Sequence, residues 1–272
     1  MTVGIVGLGL IGGSAAKAYK EAGHTVYSYD PDINAGYAAS LLGASDAHLT
    51  EENLAECDLV LLCAPPNATI DFMRKNAEFF AKDSLVIDFC GVKKPICEVG
   101  FELSEKHGFI FIGGHPMAGG RQKGIAASRA DIFEGASMII VPPVFDSMML
   151  LDRVKKALSP LGMKKFRVCT AEKHDKMIAY TSQLTHVISN ALLKSPTAAE
   201  SDGFYGKSLT NMTQIAKLNE GLWSELFLLN ADALTEELDS FIEILEKYSS
   251  AIKSGDSEAL TALLREGSEN QK

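Results

Sequence analysis

The stretch Gly4–Tyr19, GIVGLGLIGGSAAKAY, decides how this 272-residue chain is read. A short apolar run, TVGIVGL, leads into it, and an alanine-rich run with helical character leaves it. Gly7, Gly9 and Gly12 between them stand in G-x-G-x-x-G spacing. After a strand and at the start of a helix each glycine has a physical task. The first permits the tight turn, the second lets backbone N–H groups approach a pyrophosphate, and the third lets helix and sheet touch. The helix N-terminus supplies the partial positive charge that an anion needs.

Outward from this loop the pattern repeats. HTVYSYD, DLVLLCAPP, SLVIDFCG, FIFIGGHP, ASMIIVPP and MKKFRVC are short apolar runs separated by helical stretches, up to about residue 168. Such alternation predicts βαβ units on a largely parallel sheet buried on both faces. The fold class is therefore α/β, a doubly wound Rossmann-type sheet domain over 1–168. From residue 169 to 272 strand signals stop, and AEKHDKMIAYTSQLTHVISNALL and GLWSELFLLNADALTEELDSFIEILEKYSSAIKSG carry apolar residues at three-and-four spacing. An all-helical second domain follows; helices this apolar can cover one another or a second copy of the chain, and a homodimer, the commoner solution, is expected.

The second strand ends in Asp30, 18 residues past Gly12, where a carboxylate accepts hydrogen bonds from the ribose hydroxyls of an adenosine. It repels a 2′-phosphate, so the expected cofactor is NAD rather than NADP. Leu10 and Ile11, inside the loop, and Ala64 and Pro65, at the end of LLCAPP, complete the expected cofactor residues.

Composition excludes other classes. The net charge of −9 disfavours nucleic acid and anionic membranes. The apolar runs are far shorter than the ~20 residues a bilayer demands. Five cysteines without CxxC pairs suit a reducing compartment, and the cytoplasm is the expected location.

In FIFIGGHPMAGG a strand runs into a loop at the same sheet edge and delivers His115 toward the nicotinamide end of the cofactor. An imidazole, with an ordinary pKa of ~6.5, can accept a proton at neutral pH, which oxidation of a hydroxyl requires. The flanking glycines are expected to let the backbone come close to cofactor and substrate. His174 and Asp175 in EKHD open a helix, where an acid is also an ordinary cap. Lys93 and Lys94 follow the strand that ends in Asp88, either near the cofactor, with Lys93 the favoured candidate, or capping a surface helix.

In this order VIDFCGVKKPI, GGHPMAGG, EKHD, TSQLTH and MTQIAKLNEGLW resemble the prephenate and arogenate dehydrogenases. The resemblance implies a nucleotide-binding domain, a helical dimerising domain, an active site in the cleft between them, and oxidative decarboxylation of prephenate to 4-hydroxyphenylpyruvate in tyrosine biosynthesis. Hydride loss from the carbinol carbon gives a dienone that aromatises as CO2 leaves, with His115 taking the hydroxyl proton. It implies substrate contacts at Gly91, Gln183, His186, Gln214 and Trp223. Three of these depart from the family pattern: Gln214 replaces a usual arginine, Gly91 a frequent serine, and Gln183 a frequent histidine. Lys207, Arg121, Lys123 and Arg129 are alternative cations. Arogenate dehydrogenase and a non-catalytic NAD-binding regulatory homologue are the alternatives.

Overall fold

The computed structural model describes residues 1–120 and 122–270; Arg121 lies outside them. Eight strands form one sheet: β1 (Thr2–Val6), β2 (Thr25–Tyr29), β3 (Ala47–His48), β4 (Leu59–Leu62), β5 (Leu85–Asp88), β6 (Ile110–Pro116), β7 (Ser137–Val141) and β8 (Lys165–Val168). Their order is β3-β2-β1-β4-β5-β6-β7-β8. Every pairing is parallel except β6 with β7. Six helices accompany the sheet: α1 (Leu10–Glu21), α2 (Ile33–Leu41), α3 (Glu51–Leu54), α4 (Pro66–Asn76), α5 (Lys94–His107) and α6 (Met148–Ala157).

Burial explains the apolar runs. β4 and β5 are buried at every position, as a parallel strand covered on both faces must be. The core joins Val3 and Ile5 of β1, Leu59 and Leu61 of β4, Ile87 of β5 and Ile112 of β6 to Ala15, Ala16 and Tyr19 of α1. Chain order reverses between β1 and β4, and in such sheets the crevice beyond the carboxyl ends at this switch is where ligands sit.

The chain divides into two compact units. The first contains Met1–Asp175 together with Ser224–Leu229; the second contains Lys176–Trp223 and the chain from Asn230 onward. The division therefore falls inside α7 (Ala171–Ile178), seven residues later than the 168/169 boundary read in the sequence. After α7 come a π-helical turn (Ala179–Leu184), α8 (Thr185–Leu192), a short 3-10 turn (Pro196–Glu200), α9 (Lys207–Thr213), α10 (Glu220–Leu229), α11 (Ala231–Ser254) and α12 (Ser257–Glu269). Within the second unit α11 packs on the π-helical turn and folds back on α12 through Gly255, whose φ of 66° closes helix α11. Asp256 then caps α12 by accepting the Ala259 N–H at 2.9 Å.

Candidate active site

The glycine loop has the shape the motif requires. Gly7 has φ +90°, and a side chain there would also stand 2.9 Å from the backbone of Cys63 and Ala64. A Cβ on Gly12 would lie 1.8 Å from the carbonyl oxygen of Gly7. At Gly9 the same test meets nothing within 4 Å. Gly9 caps α1, so this open space lies where the helix presents its first N–H groups. A pyrophosphate fits that cradle.

Asp30 is held by the loop it serves. Its Oδ2 accepts the Leu8 N–H at 2.6 Å and its Oδ1 the Asp32 N–H at 2.9 Å, which aims the carboxylate and leaves each oxygen a second lone pair for a ribose hydroxyl. Gly7, Gly9, Asp30, Ala64 and Pro65 line one cavity of about 860 Å³ at the switch between β1 and β4. This volume suits a large organic ligand. Leu10 and Ile11 open α1 beside it, half-buried. Sequence reading missed residues 48–52 with Leu54, and it missed a helical wall: Ala68, Asp71, Phe72, Lys75 and Asn76 of α4 also line the cavity. Their three-and-four spacing was the available signal.

His115 is the last residue but one of β6. β5 stops pairing with β6 at Ile112, but β6 continues through Pro116 because β7 runs antiparallel to it and pairs Ile139 with His115. The histidine thus projects beyond β5 from backbone held in a ladder. It is partly buried, and its Nδ1 stands 2.8 Å from Nε2 of His174. Nδ1 of His174 in turn lies 2.6 Å from Oδ1 of Asp175. Nε2 is the His115 nitrogen left to meet a substrate.

Asp175 does not cap its own helix, where Thr170 Oγ1 accepts the Lys173 N–H. Its two oxygens accept the N–H groups of Lys93 at 2.7 Å and Lys94 at 2.8 Å, capping the N-terminus of α5 instead. The Lys93 side chain is fully buried and hydrogen-bonds Asp88, itself fully buried. Asp88 also accepts the N–H of Cys90 at 3.0 Å and of Gly114, the neighbour of His115, at 3.1 Å. Two carboxylates therefore pin residues 90–94 against β6. Lys93 is part of this scaffold and does not line the cofactor cavity.

Burial, then His174 and Lys93, push the His115 pKa well below the usual imidazole value. Burial also lowers that of His174, against the opposing pull of Asp175. Both shifts favour the neutral ring at pH 7, the form in which an imidazole can accept a proton.

Gly91 lies in the pinned loop. A Cβ there would sit 3.4 Å from Leu226 and 4.0 Å from Cε1 of His115, ordinary contact distances, so a serine would fit. The other substrate candidates belong to the second unit. His186 hydrogen-bonds the carbonyl of Ser182 through Nδ1 at 2.8 Å and stacks on Trp223 with ring centroids 3.9 Å apart. Gln183 is buried in the π-helical turn, its amide oxygen accepting from Asn230 at 2.7 Å. Gln214 ends α9 and is exposed. Among the alternative cations Lys207 and Lys123 are exposed, and Arg129 pairs with Asp131 at 3.1 Å. Among the described residues no group of three or more His, Cys, Asp or Glu could hold a metal ion, and no helix is long and apolar enough to cross a membrane.

A doubly wound sheet with a dinucleotide cradle at its switch point, and a histidine held beyond the same edge, define the class of nicotinamide-dependent oxidoreductases. Residues 15–166 match the prephenate dehydrogenase nucleotide-binding domain and residues 170–266 the prephenate dehydrogenase dimerization domain. The chain belongs to the prephenate dehydrogenase family. It is 30% identical to a cyclohexadienyl dehydrogenase of Zymomonas mobilis, over 97% of this chain and 92% of that protein. It is 27% identical to the prephenate dehydrogenase of Lactococcus lactis, over 97% and 74%. Among solved structures, the prephenate dehydrogenase of Aquifex aeolicus in complex with hydroxyphenyl propionate and NAD+ superposes with a TM-score of 0.85, 27% identity and coverage of 98% and 96%.

Proposed function

We propose that this chain is a prephenate dehydrogenase that uses NAD, with the dinucleotide-binding domain at 1–168 and a helical substrate and dimerisation domain at 169–272. It works in the cytoplasm as a homodimer. The observation that carries the reading is His115, paired with His174 at 2.8 Å and carried on β6 beyond the point where β5 stops. The family match and the A. aeolicus complex with NAD+ support NAD as the cofactor. Gly7, Gly9, Leu10, Ile11, Gly12, Asp30, Ala64 and Pro65 would hold it, the Gly9 end taking the pyrophosphate and Asp30 the ribose.

Bound NAD+ supplies the hydride acceptor. Nε2 of His115 hydrogen-bonds the ring hydroxyl of prephenate and takes its proton as the carbinol carbon is oxidised. Burial keeps this nitrogen unprotonated until the substrate arrives, and aromatisation with loss of CO2 drives the sequence. Gly91, Gln183, His186, Gln214 and Trp223 are proposed substrate contacts. Dimerisation is supported by the dimerization-domain match and by Tyr180, Ile242, Leu245 and Ile252, which this chain alone leaves exposed.

The test is NADH formation by the purified protein with prephenate or arogenate and NAD or NADP. Prephenate with NAD is the expected productive pair. Preferred arogenate would move the assignment to that substrate, and no reduced nicotinamide with either dienol would leave a non-catalytic homologue. Glutamine offers a carboxylate no charge, so Gln214→Arg is expected to lower the prephenate KM by about tenfold.

A further inference from the structure

We propose that Asp175 and His174 form a proton relay behind His115, locking both imidazoles in the tautomer that makes Nε2 of His115 the base and then receiving the substrate's proton on Nε2 of His174. The proposal rests on the assignment of His115 as the base.

The lock follows from donor and acceptor chemistry. Asp175 accepts backbone N–H groups on both oxygens, Lys93 on Oδ1 and Lys94 on Oδ2, and an ionised carboxylate can only accept. The 2.6 Å contact to Nδ1 of His174 therefore needs a proton on that nitrogen. A neutral His174 then has a lone pair on Nε2. The 2.8 Å contact between this atom and Nδ1 of His115 needs the proton on His115. Nε2 of His115 is left with its lone pair, the atom the reaction requires. One carboxylate, fastened to the start of α5, thus determines protonation two rings away.

The relay step balances. The O–H bond of the ring hydroxyl breaks and an Nε2–H bond forms on His115. The Nδ1–H bond of His115 breaks and an Nε2–H bond forms on His174. The O–H electron pair stays on the substrate and becomes the carbonyl π bond as hydride leaves the carbinol carbon, so no electron enters the network. His115 ends neutral with the proton on Nε2, and the positive charge rests on His174 beside Asp175.

Surrounding charges favour that resting place. The groups facing the two rings are Asp88 from β5, Lys93 from the start of α5, and Asp175 from α7; burial holds the nearby Cys90 and Cys97 thiols neutral. Two carboxylates against one ammonium leave a negative charge in excess, which an incoming proton neutralises. Lys93 disfavours the cation on both rings, but only on His174 does a carboxylate oppose it. His174 is also shut off from water, at 1% exposure, so the proton is held away from solvent during turnover.

Nitrogen-15 NMR of the histidine-labelled protein tests the lock without turnover. The chain has six histidines, and His115→Asn and His174→Gln assign the two signals. Both rings are expected as neutral Nδ1–H tautomers at pH 7. Glutamine at 174 can still accept from Nδ1–H of His115 but cannot take the proton. His174→Gln is therefore expected to cut kcat by about tenfold or more while leaving the prephenate KM and NAD affinity unchanged. It also removes the ring on which an added proton rests, leaving only buried His115 beside Lys93 to take it, so the acid limb of kcat/KM should move to lower pH. An Nε2–H tautomer on wild-type His115 overturns the lock, and wild-type kcat with an unmoved acid limb in folded His174→Gln overturns the relay. A wild-type protein that shows both Nδ1–H tautomers yet does not oxidise prephenate retains the lock and loses the functional reading.

Discussion

Lys93 shows how a single side chain can look functional in a sequence and prove to be something else in the fold. It follows the strand that ends in Asp88, at the edge where cofactors bind, yet its ammonium is buried on Asp88 and its backbone N–H on Asp175. Breaking a buried ion pair leaves an uncompensated charge, so Lys93→Met is expected to lower unfolding free energy by about 3–5 kcal/mol in urea titrations. Adding Asp88→Asn should restore part of it, because the remaining amide no longer carries a buried charge. The glycines around His115 are a second case. A Cβ on Gly113 would lie 2.5 Å from Cys97 Sγ, and one on Gly114 would lie 2.6 Å from the Asp88 carbonyl oxygen. Sheet packing by itself already requires these two glycines. Nothing in the local spelling separates this cause from approach to cofactor and substrate, since both demand the absence of a side chain.

At the scale of elements, the loop from β1 into α1 was legible because each glycine answers to its own immediate backbone. The contact between Gly12 and the Gly7 carbonyl oxygen makes this testable: Gly12→Ala must open the turn and displace the N–H groups of α1. Its NAD Kd, read by fluorescence titration, is expected to rise by about tenfold or more while the circular dichroism spectrum is kept. Unchanged NAD affinity would show that the cofactor does not use this cradle. Two features were not legible. β3 is two residues long and too short to carry an alternating pattern. The π-helical turn at Ala179–Leu184 carries the same apolar spacing as the helices on either side of it, so the sequence reads straight through. His174 and Asp175 were visible as a pair at a helix start. Their role depends on α5, 81 residues earlier, and no local pattern reports a cap supplied from that distance.

For the whole molecule, alternation of strands and helices gave the α/β half and its loss gave the helical half, because burial on two faces and burial on one stripe leave different periods. What composition could not carry was the chemistry. His115 belongs to a hydrogen-bonded network whose members come from β5, the start of α5, β6 and α7, joined only by the fold. The most direct measurement is prephenate oxidation by wild type and His115→Asn, followed as NADH formation, alongside NAD titration of both proteins. Loss of about 10²–10⁴ in kcat with unchanged NAD affinity is the predicted result. Equal loss of turnover and NAD binding, or turnover near wild type, would contradict His115 as the base.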